Sequence, residues 1–305
     1  MMSLYSFLSA IELGLIYSLM VLGLFLSYRV LNIPDLTVDG SFTLGAAVAV
    51  VMTLSRHPIL GLFAAILAGA AAGFLTAFLQ TKMKIQPILA GIITMTALYS
   101  INLMVMDDKA NVPITQQESI YTAFGSLVGK RAQGMVLSLL VLILAGAAMV
   151  LFLKTPFGLS VRATGDNESM VRSSSINPNF TITIGLCVAN ALTGLSGAVV
   201  GQAQKTADIN SGTGIVVIGL ACLIIGETIV GRGAMFRGAI AVVAGSILYR
   251  LVYALVLYTK VVPVDCLKLV TALVVALAIA APSIRQWWAF QTRKRRALAG
   301  RKGEK

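Results

Sequence analysis

The stretch at 59–80 reads ILGLFAAILAGAAAGFLTAFLQ and contains no charged residue. A helix of a soluble domain keeps a polar face, and Thr76 and Gln80 are too few to make one. At ~1.5 Å per residue the stretch is about 30 Å long, the thickness of a bilayer's hydrocarbon core. Windows of the same kind recur near 8–28, 36–54, 87–106, 135–153, 180–202, 212–230, 237–258 and 267–284, so that about nine spans of the ~20-residue order are predicted. A short re-entrant piece inside 205–230 stays open. Hydrophobic residues make up 57% of the chain and charged residues 12%, against roughly 25% charged in an average soluble domain. The expected fold is therefore an all-α polytopic membrane protein, one transmembrane domain over 1–284 with a basic tail at 285–305.

The net charge of +12 would suggest nucleic acid for a soluble chain, but here the charge lies between apolar windows and at the end. It reads as a topology signal, and no nucleic-acid partner is expected. The tail carries Arg285, Arg293, Lys294, Arg295, Arg296, Arg301, Lys302 and Lys305. Counting spans backwards from it puts Arg232 and Arg237, then Lys154, Arg162 and Arg172, then Lys82 and Lys84, then Arg29 on one side. That side is predicted to be cytoplasmic and the N-terminus outside. Trp287 and Trp288 after the last window fit an interfacial anchor. No basic region precedes the first window, so a retained span is expected there in place of a cleaved signal. Cys187, Cys222 and Cys266 lie far apart in or beside apolar runs, with no metal-ligand spacing, and read as small core residues. No metal site is expected.

Two connections are longer than turns. The external one, 107–134, is polar from Asp107 to Glu118 and then amphipathic from Ile120 to Leu127. The cytoplasmic one, 154–179, reads KTPFGLSVRATGDNESMVRSSSINPN. Pro156 and Gly158 break the preceding helix, and Asp166 or Asn167 can cap a short helix through Arg172 that ends before Pro178. Such a helix on the cytoplasmic face, rich in donors and acceptors, is something a soluble motor domain could grip. The plainer alternative is a helical loop between spans.

Polar groups inside apolar runs are expensive and point to function. Asp35 and Asp39 stand four residues apart at the start of the second span, on one helical face, either capping that helix or lining a path. Glu227 could pair with Arg232 or Arg237 as a structural or gating ion pair. Arg250 lies deep in its span and needs a carboxylate, carbonyls or a solute carboxylate. Asn102 and Asn190 are expected to bridge helices. Gly69 with Gly73, and Gly197 with Gly201, are G-x-x-x-G pairs that permit close backbone approach, within a subunit or across a dimer. Gly194-Leu195-Ser196-Gly197 has the G-x-S-G form of an intramembrane serine protease. The single histidine, His57, lies far upstream beside a proline, which leaves no base for Ser196.

VRATGDNE at 161–168, followed by Ile176-Asn177, resembles the cytoplasmic loop of the branched-chain amino acid and ribose permease superfamily of ABC importers. ANALTGLSGA at 189–198 is similar to that superfamily's small-residue helix after the loop. DLTVDGSF at 35–42, TMTALYSIN at 94–102, IGLA at 218–221, IGE at 225–227 and GSILYR at 245–250 resemble the tryptophan/tyrosine-type permease group within it. The matches span nearly the whole chain; Ser173-Ser174-Ser175 departs from the small apolar residues and glycine usual there. The resemblance implies a non-enzymatic permease subunit of a bacterial cytoplasmic-membrane importer working by alternating access. It implies a second permease copy, most simply a homodimer, a cytoplasmic ATPase that carries ATP and magnesium, and an extracytoplasmic solute-binding protein. Gly165, Asp166, Asn167 and Glu168 would form the ATPase-coupling segment, and 107–134 is expected to dock the binding protein. The resemblance suggests an aromatic amino acid or related compound as the solute; a sugar, a nucleoside or another amino acid stays open.

No G-x-x-x-x-G-K-[ST] loop occurs in the chain, so ATP phosphates would have to be held elsewhere and no cofactor is expected in this polypeptide. The competing class is a secondary transporter driven by an ion gradient. It would need intramembrane carboxylates, and Asp35, Asp39 and Glu227 all read as lying toward the cytoplasmic side.

Overall fold

The computed structural model describes residues 4–115, 117–128, 133–231, 235–259, 272–273, 275–276 and 280. Its helices are α1 (Leu4–Leu24), which continues as a π-helical turn over Phe25–Val30, α2 (Thr37–Leu54), α3 (Pro58–Thr81) and α4 (Pro87–Val105). After strand β1 (Asn111–Pro113) come α5 (Ile120–Val128), α6 (Gln133–Lys154), α7 (Pro156–Asp166), α8 (Glu168–Ser173) and α9 (Pro178–Gln204). Strand β2 (Thr206–Asp208), α10 (Ile215–Val230) and α11 (Met235–Thr259) complete the order.

Among the described residues, seven helices are long and apolar enough to cross a membrane: Ser6–Val30, Thr37–Leu54, Pro58–Thr81, Pro87–Val105, Gln133–Lys154, Pro178–Gln204 and Met235–Tyr258. They coincide with seven of the predicted windows. The window at 212–230 needs correction. The chain after β2 runs without helix to Gly214, and α10 then has only 16 residues, about 24 Å and too short to span alone. The window at 267–284 lies almost entirely outside the described residues, as does the tail 285–305 with Trp287 and Trp288.

Proline sets many of the helix starts. Pro58, Pro87, Pro156 and Pro178 each occupy the first turn of their helix, where a fixed φ helps and the missing N–H costs nothing. Lys205, at φ 56°, ends α9 in the left-handed conformation.

The core is a three-helix block, α2, α3 and α9, joined through glycines. Gly45 of α2 meets Gly194 of α9 backbone to backbone, and a methyl group on either would strike the neighbouring chain. Gly69 and Gly73 of α3 lie against Asn190 and Leu186, and Gly197 and Gly201 of α9 against Phe42 and Ala46 of α2. Both G-x-x-x-G pairs therefore work inside the subunit. Ser196 donates to the Ile16 carbonyl at 2.9 Å, which makes it a helix bridge between α9 and α1. Side chains such as Phe63, Leu67 and Phe74 on α3, or Ile92 and Met104 on α4, face outward and are exposed, the inside-out pattern that a lipid environment favours.

The contacts fix relative direction. Gly23 meets Ala189 and Ile16 meets Ser196, while Gly14 meets Ile247 and Phe25 meets Gly238, so α9 and α11 run opposite to α1; Gly146 meets Leu22 and Gly134 meets Glu12, so α6 runs with it. The start of α1 thus shares a face with segment 107–134, and loop 154–179 lies on the other face. On the first face β1 pairs antiparallel with β2, and the Ile120 N–H donates to Gln202 at 3.1 Å. The amphipathic stretch predicted from Ile120 is α5.

Candidate functional site

Loop 154–179 folds as two helices, one more than expected. Thr155 accepts from the Gly158 N–H at 3.2 Å and caps α7, with Pro156 as its first residue, so Pro156 opens a helix as well as closing one. Asn167 turns extended, at φ −161°, and its Oδ1 accepts from the Met170 N–H at 3.1 Å, capping α8. Glu168 pairs with Arg172 one turn on at 2.9 Å. Both side chains are largely exposed, as is Met170. The four candidate residues Gly165, Asp166, Asn167 and Glu168 thus form the elbow between two short surface helices.

Gly165 gives the elbow a route inward. Its α-carbon rests on the Val30 carbonyl and on Leu31, leaving no room for a β-carbon. Thr164 also shares a hydroxyl hydrogen bond of 2.7 Å with Thr181 of α9. Val30 ends the π turn, where Leu31 N–H donates to Leu26 at 2.9 Å. A π turn inserts one extra residue and is common at functional places.

Five residues on, Asp35 is buried at 3% exposure. Its carboxylate accepts from the Thr37 N–H at 2.9 Å and from Asn190 Nδ2 at 2.7 Å. Asn190 Oδ1 in turn accepts from the Ser41 hydroxyl at 2.7 Å. Asn190 stands near the middle of the 27-residue α9, so Asp35 lies deeper than a position at the membrane surface. The helix begins at Thr37, after Asp35, so the two aspartates do not share a helical face.

Asp39 caps a different helix. Its two oxygens accept from the Gly214 N–H and the Val216 N–H, each at 2.9 Å, and Gly212 N–H donates to Thr43 at 3.0 Å. The non-helical run before α10 is thereby held against α2 inside the bundle, with Gly214 at φ 80° making the turn. Irregular backbone at such depth survives only where protein groups satisfy it.

Glu227 has a partner far away in sequence. Arg29 Nε lies 2.9 Å from its Oε1, joining the end of α1 to α10. Arg232 is outside the described residues. Asn102 bridges helices as predicted, donating to the Gly40 carbonyl at 3.3 Å. Its Oδ1 is buried and has no partner among the described residues. It lines a cavity of about 300 Å³ with Asp39, Thr43, Tyr99 and Thr213. Across the 211–215 segment a second cavity, about 460 Å³, is lined by Tyr17, Ser211, Thr213, Tyr249, Arg250 and Tyr253 among others. The Arg250 guanidinium lies over the Tyr17 ring, 3.6 Å from its centroid.

The model of the family described as branched-chain amino acid transport system, permease component, matches residues 6–280. The chain belongs to that family. The permease is also 35% identical, over 90% of its own length and 90% of the relative's, to the tyrosine transport system permease protein of Clostridioides difficile. It is 27% identical to the ribose import permease protein of Haemophilus influenzae, over 64% of this chain and 60% of that one. A probable branched-chain amino acid transport permease protein of Methanocaldococcus jannaschii is 26% identical over 78% of this chain and 80% of its own. No solved structure matches the chain.

In this multi-pass membrane permease the candidate residues other than Glu227 fall into two sets. Gly165 to Glu168 reach Asp35 through Val30 and the turn at 31–36, whereas Asp39, Asn102 and Arg250 surround the 209–215 segment. Sequence reasoning did not join Arg29 to Glu227, Ser41 to Asn190 or Tyr17 to Arg250. Arg29 was counted only as a topology marker, and nothing local ties it to Glu227, which lies 198 residues later. Thr155-Pro156 did carry a readable start signal for α7.

Proposed function

We propose that this permease is the membrane-spanning subunit of an ATP-binding-cassette importer in a bacterial cytoplasmic membrane. It carries a small solute, an aromatic amino acid or related compound, by alternating access driven by a separate ATPase. The observation that carries the reading is the elbow at Gly165–Glu168. It is an exposed two-helix knob, packed by a glycine onto the turn that leads to Asp35 and Asn190. A push on the knob bears on the α1–α2 turn, with no flexible linker between. The basic face formed by Arg29, Lys82, Lys84, Lys154, Arg162 and Arg172 would then be cytoplasmic and the N-terminus external. Segment 107–134, pinned by β1–β2 and by Gln202, is the docking surface for an extracytoplasmic binding protein. The name of the Clostridioides difficile relative supports tyrosine as the first solute to try. A homodimer, with ATP and magnesium on the partner ATPases, completes the assembly.

The test is co-purification from native membranes with a tag on this chain, coupled to uptake. An ATPase retained by the wild type and lost by the Asp166→Lys/Glu168→Lys double variant is the expected result. Normal ATP-coupled uptake by that variant would sink the docking role. An isolated chain that moves solute down an ion gradient in liposomes would replace the reading with secondary transport. Against that alternative stands the use already made of each carboxylate: Asp35 holds Thr37 and Asn190, Asp39 holds α10, and Glu227 faces Arg29.

A further inference from the structure

The larger cavity, between α1, α10 and α11, is lined by three residues that each carry a buried side-chain atom without a hydrogen-bond partner among the described residues: Ser211 (Oγ), Tyr249 (Oη) and Arg250 (Nε). Tyr249 is only 3% exposed. A buried polar atom left unpaired costs about 1–3 kcal/mol, more if charged. With the three residues lining one cavity, an occupant that supplies acceptors would satisfy these donors. All three can donate, and no Asp or Glu is among the described lining residues. Asp39 faces the other side of the 212–216 segment and is engaged with the α10 amides there.

The arginine is held in a way that suits recognition. Tyr17 stacks on one face of the guanidinium at 3.6 Å, and the Tyr253 ring centroid is 5.8 Å away. Stacking fixes the plane and leaves the N–H edge for a planar acceptor. A carboxylate fits that edge in bidentate geometry, while the tyrosine rings offer apolar surface to whatever is attached to it. The volume of about 460 Å³ lies within the range of small-molecule sites. Arg250 stands nine residues before the end of α11 at Thr259, about 14 Å below the face that carries β1, β2 and α5.

We propose that this cavity is an intramembrane binding site for the carboxylate of an amino acid. Arg250 takes the carboxylate, the Tyr249 and Ser211 hydroxyls donate to it, and Tyr17 and Tyr253 flank the remainder of the solute. The assignment deepens the import reading and rests on it for the direction of flow. It assigns solute recognition to the permease itself, in addition to any binding protein.

Val217 lines the same cavity and is 50% exposed, so a thiol placed there reports occupancy. The full-length Val217→Cys variant in proteoliposomes is labelled with a methanethiosulfonate reagent, and modification is read by peptide mass, which separates it from Cys187, Cys222 and Cys266. L-tyrosine and L-leucine are compared with their amides, tyrosinamide and leucinamide. The acids are expected to slow labelling at concentrations about tenfold lower than the amides, the loss of one charge-assisted hydrogen-bonded pair. Adding Arg250→Gln should abolish the protection and Tyr249→Phe should weaken it. Equal protection by acids and amides, or protection that survives Arg250→Gln, overturns the site. If Arg250→Gln fails to fold, the acid-against-amide comparison on the otherwise native chain decides alone. ATP-driven uptake is measured in parallel with the ATPase present. Uptake without acid-selective protection removes the site and keeps the importer, whereas protection without ATP-driven uptake removes the importer and keeps the site.

Discussion

Asn190 donates its side-chain amide to the Asp35 carboxylate at 2.7 Å, across 155 residues of chain. One amide thereby ties the turn after α1 to the centre of α9, and through its oxygen to Ser41 of α2. The Asn190→Leu variant leaves Asp35 buried with one fewer donor. A loss of about 1.5–3 kcal/mol is expected, the cost of removing a hydrogen bond to a charged group. Thermal unfolding in detergent should show it as a large drop in midpoint, with Asp35→Asn milder because it removes the charge as well. Equal midpoints for wild type and Asn190→Leu would refute the role.

Asp39 is expected to govern order at the start of α10. The Asp39→Ala variant frees the amides of Gly214 and Val216 inside the bundle, at about 1–3 kcal/mol for each unsatisfied group. Hydrogen exchange at 214–216 should quicken by about tenfold or more. Asp39→Asn keeps one acceptor oxygen and should fall between. Unchanged exchange in Asp39→Ala would mean that the cap is dispensable.

For Arg29 and Glu227 the sharpest assay is charge exchange. Arg29→Glu and Glu227→Arg should each lower stability and uptake, and the double swap should restore part of both. Arg29 is half exposed, so the coupling energy should be only about 1 kcal/mol. Additive losses in the double variant would show that the pair carries no coupling.

Gly165→Val probes transmission. The β-carbon would fall on the Val30 carbonyl, so the elbow must shift outward while its outer surface keeps its polar groups. ATPase association should persist and uptake per ATP hydrolysed should drop several-fold. Full coupling in Gly165→Val would place transmission elsewhere.

The helices that cross the membrane were readable because a long uncharged run has few alternatives in water. The departures came where structure depends on a distant partner. The run Asn210-Ser211-Gly212-Thr213-Gly214 had the composition of a break in the span at 212–230, yet only Asp39 and Thr43 explain how it can sit inside the bundle. For Glu227 the sequence offers the nearby Arg232 and Arg237, whereas the fold adds Arg29 from far earlier in the chain. Asp35 and Asp39, at helical spacing, were placed on one face; the helix starts between them, at Thr37, and sends them to different neighbours. Arg250 was identifiable as costly where it stands, but Tyr17, which covers it, comes from the other end of the chain.

The dependence of α10 on Asp39 also bears on how the chain is made. Asp39 enters the membrane with α2 while the amide of Gly214, 175 residues later, has yet to be synthesised. Until then its carboxylate must be hydrated, protonated or sheltered. The 16-residue α10 in turn offers the insertion machinery a segment short of full bilayer thickness. The cap that Asp39 provides can therefore form only after the 209–230 segment has been made, later than the α2–α3–α9 contacts. A chain interrupted before that point would leave Asp39 without the two α10 amides that satisfy it.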